Sequence, residues 1–109
     1  MSRAKGNAAE DAACEYLTQK GFVIQERNFY SRFGEIDIIA LKEGVLHFIE
    51  VKSGESYEAA IYNITPNKLS KIIKTSQIYM SKYSLQCDYQ FDGLIIVDRT
   101  ITLIDNITL

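Results

Sequence analysis

The stretch GEIDIIALKEGVLHFIEVK, residues 34–52, decides the fold of this chain. Two apolar, β-branched runs in it are separated by Glu43-Gly44, a dipeptide that is typical of a two-residue hairpin loop. A loop at these residues places opposite each other the residues whose numbers sum to 87, such as Ile39 and Phe48. The stretch therefore predicts two antiparallel strands in one fixed register.

Charged residues interrupt the apolar runs near the open end of this hairpin. The register places Asp37 opposite Glu50 and Glu35 opposite Lys52, and the alternation of strand side chains puts all four on one face. Two carboxylates in opposite positions have Cβ atoms about 4.5–5.5 Å apart and repel each other. A divalent cation with oxygen ligands would turn this repulsion into a binding site, and the adjacent lysine suits hydrolysis of a phosphodiester.

The other face of the hairpin is predicted to be buried, because its side chains are nearly all apolar. His47, the one histidine of the chain, lies on this face, so we expect a core or edge histidine and not a general base. The face consists of Ile36, Ile38, Ala40, Val45, His47, Ile49 and Val51.

The rest of the chain predicts one helix before the hairpin and one after it. The helices cover Lys5–Lys20, which ends at Gly21, and the residues that follow Thr65-Pro66. Strands are predicted at Phe22–Asn28, in the hairpin, at Phe91–Val97 and at Thr100–Ile104, with a loop or partly ordered crossover over residues 53–63. The second helix is predicted to bury Leu69, Ile72, Ile73, Ser76, Met80 and Tyr83.

This order of elements predicts an α/β fold, in which a mixed sheet lies between two layers of helices. The 109 residues are enough for one domain with a real core. The net charge of −2 argues against a tight, non-specific nucleic-acid binder, because such domains are usually basic. No apolar run reaches the length of a membrane span, and Cys14 and Cys87 lack zinc-ligand spacing, so we expect reduced thiols in a cytoplasmic protein without membrane contact.

The motifs at residues 34–37 and 48–52 resemble the catalytic hairpin of the PD-(D/E)xK phosphodiesterases, the restriction-endonuclease-like superfamily. More closely, the chain resembles the YraN-like family of small bacterial proteins in that superfamily. This closer resemblance also rests on Gly6-x-x-x-Glu10, Gly21-Phe22, Arg27-Asn28, Lys68 and Phe91-Asp92. It implies a restriction-endonuclease-like three-layer sandwich.

The chain departs from the pattern of the superfamily at two points. Ile36 replaces the proline that usually precedes the aspartate. The segment Ser53-Gly54-Glu55 stands where a basic residue is expected after Lys52, which removes a phosphate contact.

The resemblance implies a metal-dependent nuclease that hydrolyses DNA phosphodiester bonds. Under this hypothesis Asp37, Glu50 and the carbonyl of Val51 coordinate Mg²⁺ or Mn²⁺, and Glu10 approaches the metal from the first helix. Lys52 orients or activates the hydrolytic water. Archaeal Holliday-junction resolvases resemble this arrangement more distantly, so branched DNA is a candidate substrate, and a homodimer is compatible with it.

Each of these residues also has a simpler interpretation. Lys52 can neutralise Glu35 or Glu50 in a structural charge cluster, and Glu10 can be a solvated residue of the first helical turn. Glu35 is either a third acidic ligand or, as we prefer, the residue that holds Lys52. The fold can also bind nucleic acid without cutting it, or serve as an accessory protein with a vestigial site.

A positively charged helix face is the candidate surface for DNA. Residues 59–87 contain four lysines and no acidic residue, so the second helix presents a basic outer face that is either solvated or in contact with phosphates. Lys68 in its first turn is the strongest candidate. The predicted nucleic-acid-binding residues are Lys68, Lys71, Lys74, Arg27 and Arg32.

Overall fold

The predicted order of helices and strands is present in the computed structural model, which describes residues 4–108, with side chains from Ala8 onward. One short helix is added between the hairpin and the second long helix. The elements are α1 (Ala4–Gln19), β1 (Val23–Ser31), β2 (Gly34–Lys42), β3 (Val45–Ser53), α2 (Tyr57–Tyr62), α3 (Pro66–Lys82), β4 (Asp88–Val97) and β5 (Thr100–Ile104).

The predicted hairpin is confirmed as the β2–β3 pair. Glu43 and Gly44 both adopt positive φ, 51° and 80°, which a two-residue type I′ loop requires. Within residues 34–53 the strands pair in the predicted register from this turn to the pair formed by Ile38 and Ile49. The ladder ends there, so Asp37 and Glu50 lie just beyond the last backbone pair.

The five strands form one mixed sheet in the order β1-β2-β3-β4-β5. After α2 and α3 the chain returns parallel to β3, and the other neighbouring strands are antiparallel. The predicted α/β three-layer architecture is therefore confirmed. On one face of the sheet α1 contributes Ala13 and Leu17 to a cluster with Phe22, Ile38, Ala40, Ile49 and Leu94. On the other face α3 contributes Ile72 and Tyr79 to a cluster with Phe29, Ile36, Ile39, Leu46, Phe48 and Phe91.

Strict alternation along the hairpin was a wrong expectation at Ile36. Ile36 and Ile38 were predicted to share a face, but Ile36 is in the cluster under α3 and Ile38 is in the cluster under α1. The neighbouring strand changes face at the same level, where Asn28 adopts a left-handed φ of 54° between Arg27 and Phe29. This irregularity marks the place where Asp37 lies.

Several element boundaries differ from the prediction, and β4 begins at Asp88, three residues before the predicted Phe91. The first strand continues past Asn28 to Ser31, because asparagine tolerates a left-handed conformation inside the ladder without ending it. Part of the predicted loop is α2, which Ser56 caps by accepting a hydrogen bond from the Ala59 N–H at 3.1 Å.

The buried stripe of α3 is rotated relative to the predicted one. Ile72 and Ser76 are buried as expected, whereas Tyr83 is 46% exposed, and Leu69, Ile73 and Met80 are only partly buried. Thr75 and Tyr79 take the central positions instead. Thr75 Oγ1 lies 2.7 Å from Ser31 Oγ, and the Tyr79 ring meets the edges of Phe29 and Phe48 at centroid distances of 5.0 and 6.1 Å. Aromatic contacts therefore set the rotation of this helix.

Within residues 4–108, no helix combines the length and the apolar character needed to cross a bilayer. Cys14 and Cys87 are both free thiols.

Candidate metal and phosphate site

A cavity of about 690 Å³ opens at the end of the sheet where β2 begins and β3 ends. The pairing of β2 with β3 stops before this end of the sheet, which leaves space between the two strands. Residues of α1 and α3 line the remaining sides of the cavity. Eight of the predicted site residues line it together: Glu10, Glu35, Asp37, Glu50, Val51, Lys52, Lys68 and Lys71.

Two acidic side chains meet at the centre of this cavity. The carboxyl groups of Asp37 and Glu50 line the same cavity and lie close enough to affect each other's charge. Burial first, and then the charge of Glu50, raises the pKa of Asp37 to about 8, against the effect of a hydrogen bond from the Val51 N–H. At neutral pH the Asp37 carboxyl group therefore keeps its proton in the metal-free protein.

The backbone of β3 turns toward this pair. The N–H of Val51 donates to Asp37 Oδ2 at 2.8 Å, in place of the strand pairing that ended at Ile49. The N–H and C=O of one strand residue point to the same side of the strand. The carbonyl of Val51 therefore lies on the Asp37 side of β3, where the sequence predicted a backbone ligand.

Lys52 forms an ion pair with Glu50. Its Nζ lies 3.4 Å from Glu50 Oε2, and the side chain is 24% exposed. The second cation is Lys68, which lies at the first turn of α3 because Thr65 Oγ1 caps that helix by accepting from the Lys68 N–H at 3.2 Å. The charge of Lys52 lowers the pKa of Lys68, so the two ammonium groups lie near each other in the cavity.

Glu10 reaches the cavity from α1 and is held there by β1. Asn28 Nδ2 donates to both Glu10 carboxylate oxygens, at 2.9 and 3.0 Å, and the Glu10 side chain is only 13% exposed. This bonding fixes the orientation of the carboxylate, unlike that of a solvated first-turn glutamate. Asn28 was missed as a site residue, although a strand asparagine that tolerates positive φ is a signal for a local change of direction.

The predicted nucleic-acid-binding residues separate into two groups. Lys68 and Lys71 line the cavity. Arg32 and Lys74 lie outside it, over the ring of Phe33, at 4.8 and 5.3 Å from its centroid. Arg27 is in ion pairs with α1, at 2.8 Å from Asp11 Oδ1 and 3.6 Å from Glu10 Oε1, so its charge serves the helix–sheet contact.

A second polar cluster, on the α1 face of the sheet, was not predicted. Nδ1 of the buried His47 lies 2.5 Å from Asp92 Oδ2, which confirms His47 as a core residue. Asp92 Oδ1 accepts from Gln90 Nε2 and from the Asn106 N–H, both at 2.9 Å. His47, Asp92 and Asp105 place potential ligand atoms within 4.8 Å of one another, but Gln90 bonds both carboxylates, so hydrogen bonding accounts for the cluster. It anchors the segment after β5 to β4.

The raised pKa of Asp37 makes the stability of the metal-free protein depend on pH. The folded state binds a proton up to about pH 8, whereas the unfolded carboxyl loses it near its usual pKa of 3.8. The contribution of Asp37 to the free energy of unfolding is therefore largest below about pH 4. It decreases as the pH rises toward 8, by up to about 1.4 kcal/mol per pH unit. We expect Asp37→Asn to remove this decline in urea unfolding curves in EDTA.

Asp98→Asn is the matched control, because Asp98 is exposed in the β4–β5 turn at a φ of 54° that asparagine accepts. This control should keep the slope of the unmodified protein. Equal slopes for Asp37→Asn and the unmodified protein would contradict the raised pKa of Asp37.

Asp92→Ala should lower the free energy of unfolding by about 3–5 kcal/mol, because it leaves His47 and Gln90 without their buried acceptor. Asp105→Ala is the control and should cost about 0.5 kcal/mol, since Asp105 is exposed. Chemical denaturation measures both. Equal losses in the two variants would show that the buried hydrogen bonds do not stabilise the fold.

Comparison with known proteins supports the resemblance in the sequence. The profile of a family described as "Uncharacterised protein family UPF0102" matches residues 9–97. A UPF0102 protein of Sulfurimonas denitrificans is 56% identical over 109 residues, covering 100% of both chains. UPF0102 proteins of Helicobacter pylori strain HPAG1 and of Helicobacter hepaticus are 57% and 56% identical, covering 97% and 99% of this chain and 92% and 97% of their own lengths. The chain therefore belongs to the UPF0102 family, the YraN-like family that its motifs indicated.

Proposed function

We propose that this protein is a metal-dependent nuclease that hydrolyses DNA phosphodiester bonds, with branched DNA among its candidate substrates. The observation that carries the proposal is the position of Asp37 and Glu50 in one cavity, with the ammonium of Lys52 3.4 Å from Glu50. Two acids forced together in a partly buried cavity cost stability unless a proton or a cation lies between them. A cavity with this donor set suits a hard divalent cation.

The donor atoms fit Mg²⁺ or Mn²⁺. The carboxylates of Asp37 and Glu50 and the carbonyl of Val51 are all oxygen ligands, which these ions prefer. Glu10 lines the same cavity, with its carboxylate already oriented by Asn28. Asp37 must lose its proton before its carboxylate can ligate a cation, so binding should strengthen as the pH rises toward 8.

The lysines of the cavity supply the remaining requirements of phosphodiester hydrolysis. The bound cation would polarise the phosphate and stabilise the charge that develops on it. Lys52, 3.4 Å from Glu50, would orient a water molecule between the carboxylates and the phosphorus. Lys68 and Lys71, from the α3 wall of the cavity, would hold the non-bridging phosphate oxygens.

A second candidate function is nucleic-acid binding without cleavage, by a vestigial nuclease site. The ion pair between Lys52 and Glu50 favours it, because this pairing is also what a purely structural charge cluster would show. The segment Ser53-Gly54-Glu55 favours it too, since it lacks the basic residue expected after Lys52.

Cleavage of a DNA panel separates the two functions. Linear duplex, single-stranded, flapped and four-way DNA are each incubated with Mg²⁺, with Mn²⁺ and with EDTA. The nuclease proposal expects metal-dependent products from at least one of these substrates. Binding without cleavage of any of them would favour the second function.

Substitutions in the cavity should divide into two classes. Asp37→Asn and Glu50→Gln should lose Mn²⁺ binding and cleavage together, because each removes a ligand. Lys52→Met should keep Mn²⁺ binding but lower the cleavage rate by about 10²–10⁴-fold, the usual contribution of a group that acts on the attacking water. Calorimetry measures the binding and gel assays measure the rate.

Lys20→Met, at the far end of α1, is the control for loss of a lysine and should behave like the unmodified protein. Unchanged Mn²⁺ binding in both acidic variants would refute the metal site. Full activity of Lys52→Met would leave this lysine as a charge partner only.

A further inference from the structure

A second cleft of about 740 Å³ lies beside the candidate site and is not used by the proposed chemistry. It is formed by the β1–β2 turn and the outer side of α3, and we name it the Phe33 cleft. Three of its residues are cationic and two are neutral hydrogen-bonding groups. The aromatic, cationic and polar residues of its lining are Arg32, Phe33, Lys74, Gln77, Ser81 and Lys82.

The Phe33 cleft continues from the candidate site along α3. Gly34 lines the site and follows Phe33 directly in the chain. A Cβ placed on Gly34 would lie 3.6 Å from Lys71 Cβ, so the turn and the helix are in close contact at the junction of the two clefts. Lys71 lines the site and Lys74, one turn later, lines the Phe33 cleft.

The cations of the Phe33 cleft are held against aromatic rings. The Arg32 and Lys74 cations lie 4.8 and 5.3 Å from the Phe33 ring centroid. Lys82 Nζ lies 5.7 Å from the ring centroid of Phe29 and 5.2 Å from that of Tyr83. A ring fixes the position of a cation and leaves its N–H groups available for an anion.

Among the residues with described side chains, 8–108, the cations next to the candidate site lie mainly on its α3 side. On the α1 side, Arg27 is in ion pairs with Asp11 and Glu10, and the exposed Glu15 adds further negative charge to that helix. On the α3 side, residues 59–87 contain lysines and no acidic residue. The lysines of α3 therefore attract a polyanion that enters the candidate site along that helix.

We propose that the Phe33 cleft binds the phosphate backbone of duplex DNA that extends from the candidate site along α3. This inference rests on the proposed function, because it takes the candidate site as the place of the reacting phosphate. From Lys68 to Lys82 the helix rises about 21 Å at 1.5 Å per residue. One strand of duplex DNA has a phosphate about every 3.4 Å along its axis, so this face spans about six base pairs on one side of the reacting bond.

The test replaces Lys74 and Lys82 together with glutamine in the full chain. The matched control replaces Lys20 and Lys42, which also lie over aromatic rings, at 5.5 Å from Tyr16 and 4.9 Å from Phe22. These two lysines lie at the opposite end of the sheet from the candidate site. The probe is a fluorescent 20-base-pair duplex in EDTA, and anisotropy gives its affinity over a range of salt concentrations.

Lys74→Gln/Lys82→Gln should reduce the slope of log K against log[salt] by about 1–2, since each lost phosphate contact removes about 0.9. The control should keep the slope of the unmodified protein. Unchanged slopes in both variants, or equal decreases in both, would overturn the proposal.

Mn²⁺ titration of Lys74→Gln/Lys82→Gln distinguishes this inference from the proposed function. The variant should bind Mn²⁺ like the unmodified protein, because the substituted lysines lie outside the first cavity. DNA cleavage by the unmodified protein, together with normal DNA binding by the variant, would refute the cleft and leave the nuclease standing. A reduced salt slope in the variant, without cleavage by the unmodified protein, would support the cleft and refute the nuclease.

Discussion

The contact between the carboxyl groups of Asp37 and Glu50 is the constraint on which the rest of the site depends. Two acidic groups in a partly buried cavity cannot both ionise without a compensating positive charge. The protein keeps them together because β2 and β3 are fixed by the hairpin on one side and by the β3–β4 pairing on the other. Stability elsewhere in the sheet therefore supports an arrangement that is unfavourable by itself.

Neighbouring groups stabilise the negative charge of these two side chains. The ladder between β2 and β3 ends at Ile38 and Ile49, and the next free N–H, that of Val51, donates to Asp37 at 2.8 Å. Lys52 brings a positive charge to within 3.4 Å of Glu50. The hydrogen bond from Val51 lowers the pKa of Asp37, but burial and the charge of Glu50 outweigh it and raise that pKa to about 8. Among the described residues, the cavity therefore favours a further positive charge beside Asp37.

Much of this fold could be predicted because the signals are local. The Glu43-Gly44 loop sets the hairpin register through backbone geometry alone, and the Thr65-Pro66 pair sets the start of α3. The gathering of Asp37, Glu50 and Lys52 at one end of the sheet follows from that register and from strand alternation. The close agreement at these elements reflects turn and cap chemistry that tertiary contacts do not override.

The features that could not be predicted depend on contacts between distant segments. Ile36 and Ile38 lie on different faces because β1 and β2 twist together at Asn28, which also holds Glu10. The rotation of α3 depends on its aromatic contacts with β1 and β3. The bond between His47 and Asp92 requires the parallel pairing of β3 with β4, which brings together residues 45 positions apart. Hydrophobic periodicity and secondary-structure propensity carry no information about pairings between distant segments.

The central claim is that Asp37 and Glu50 form a cation site at which a proton on Asp37 competes with the cation. Calorimetric titration with Mn²⁺ at pH 7, in buffers of different ionisation enthalpy, counts the protons released on binding. The account predicts release of close to one proton for each Mn²⁺ bound, and a smaller number at pH 9, above the pKa of about 8. Binding without proton release at pH 7, or no binding of Mn²⁺ at all, would contradict it.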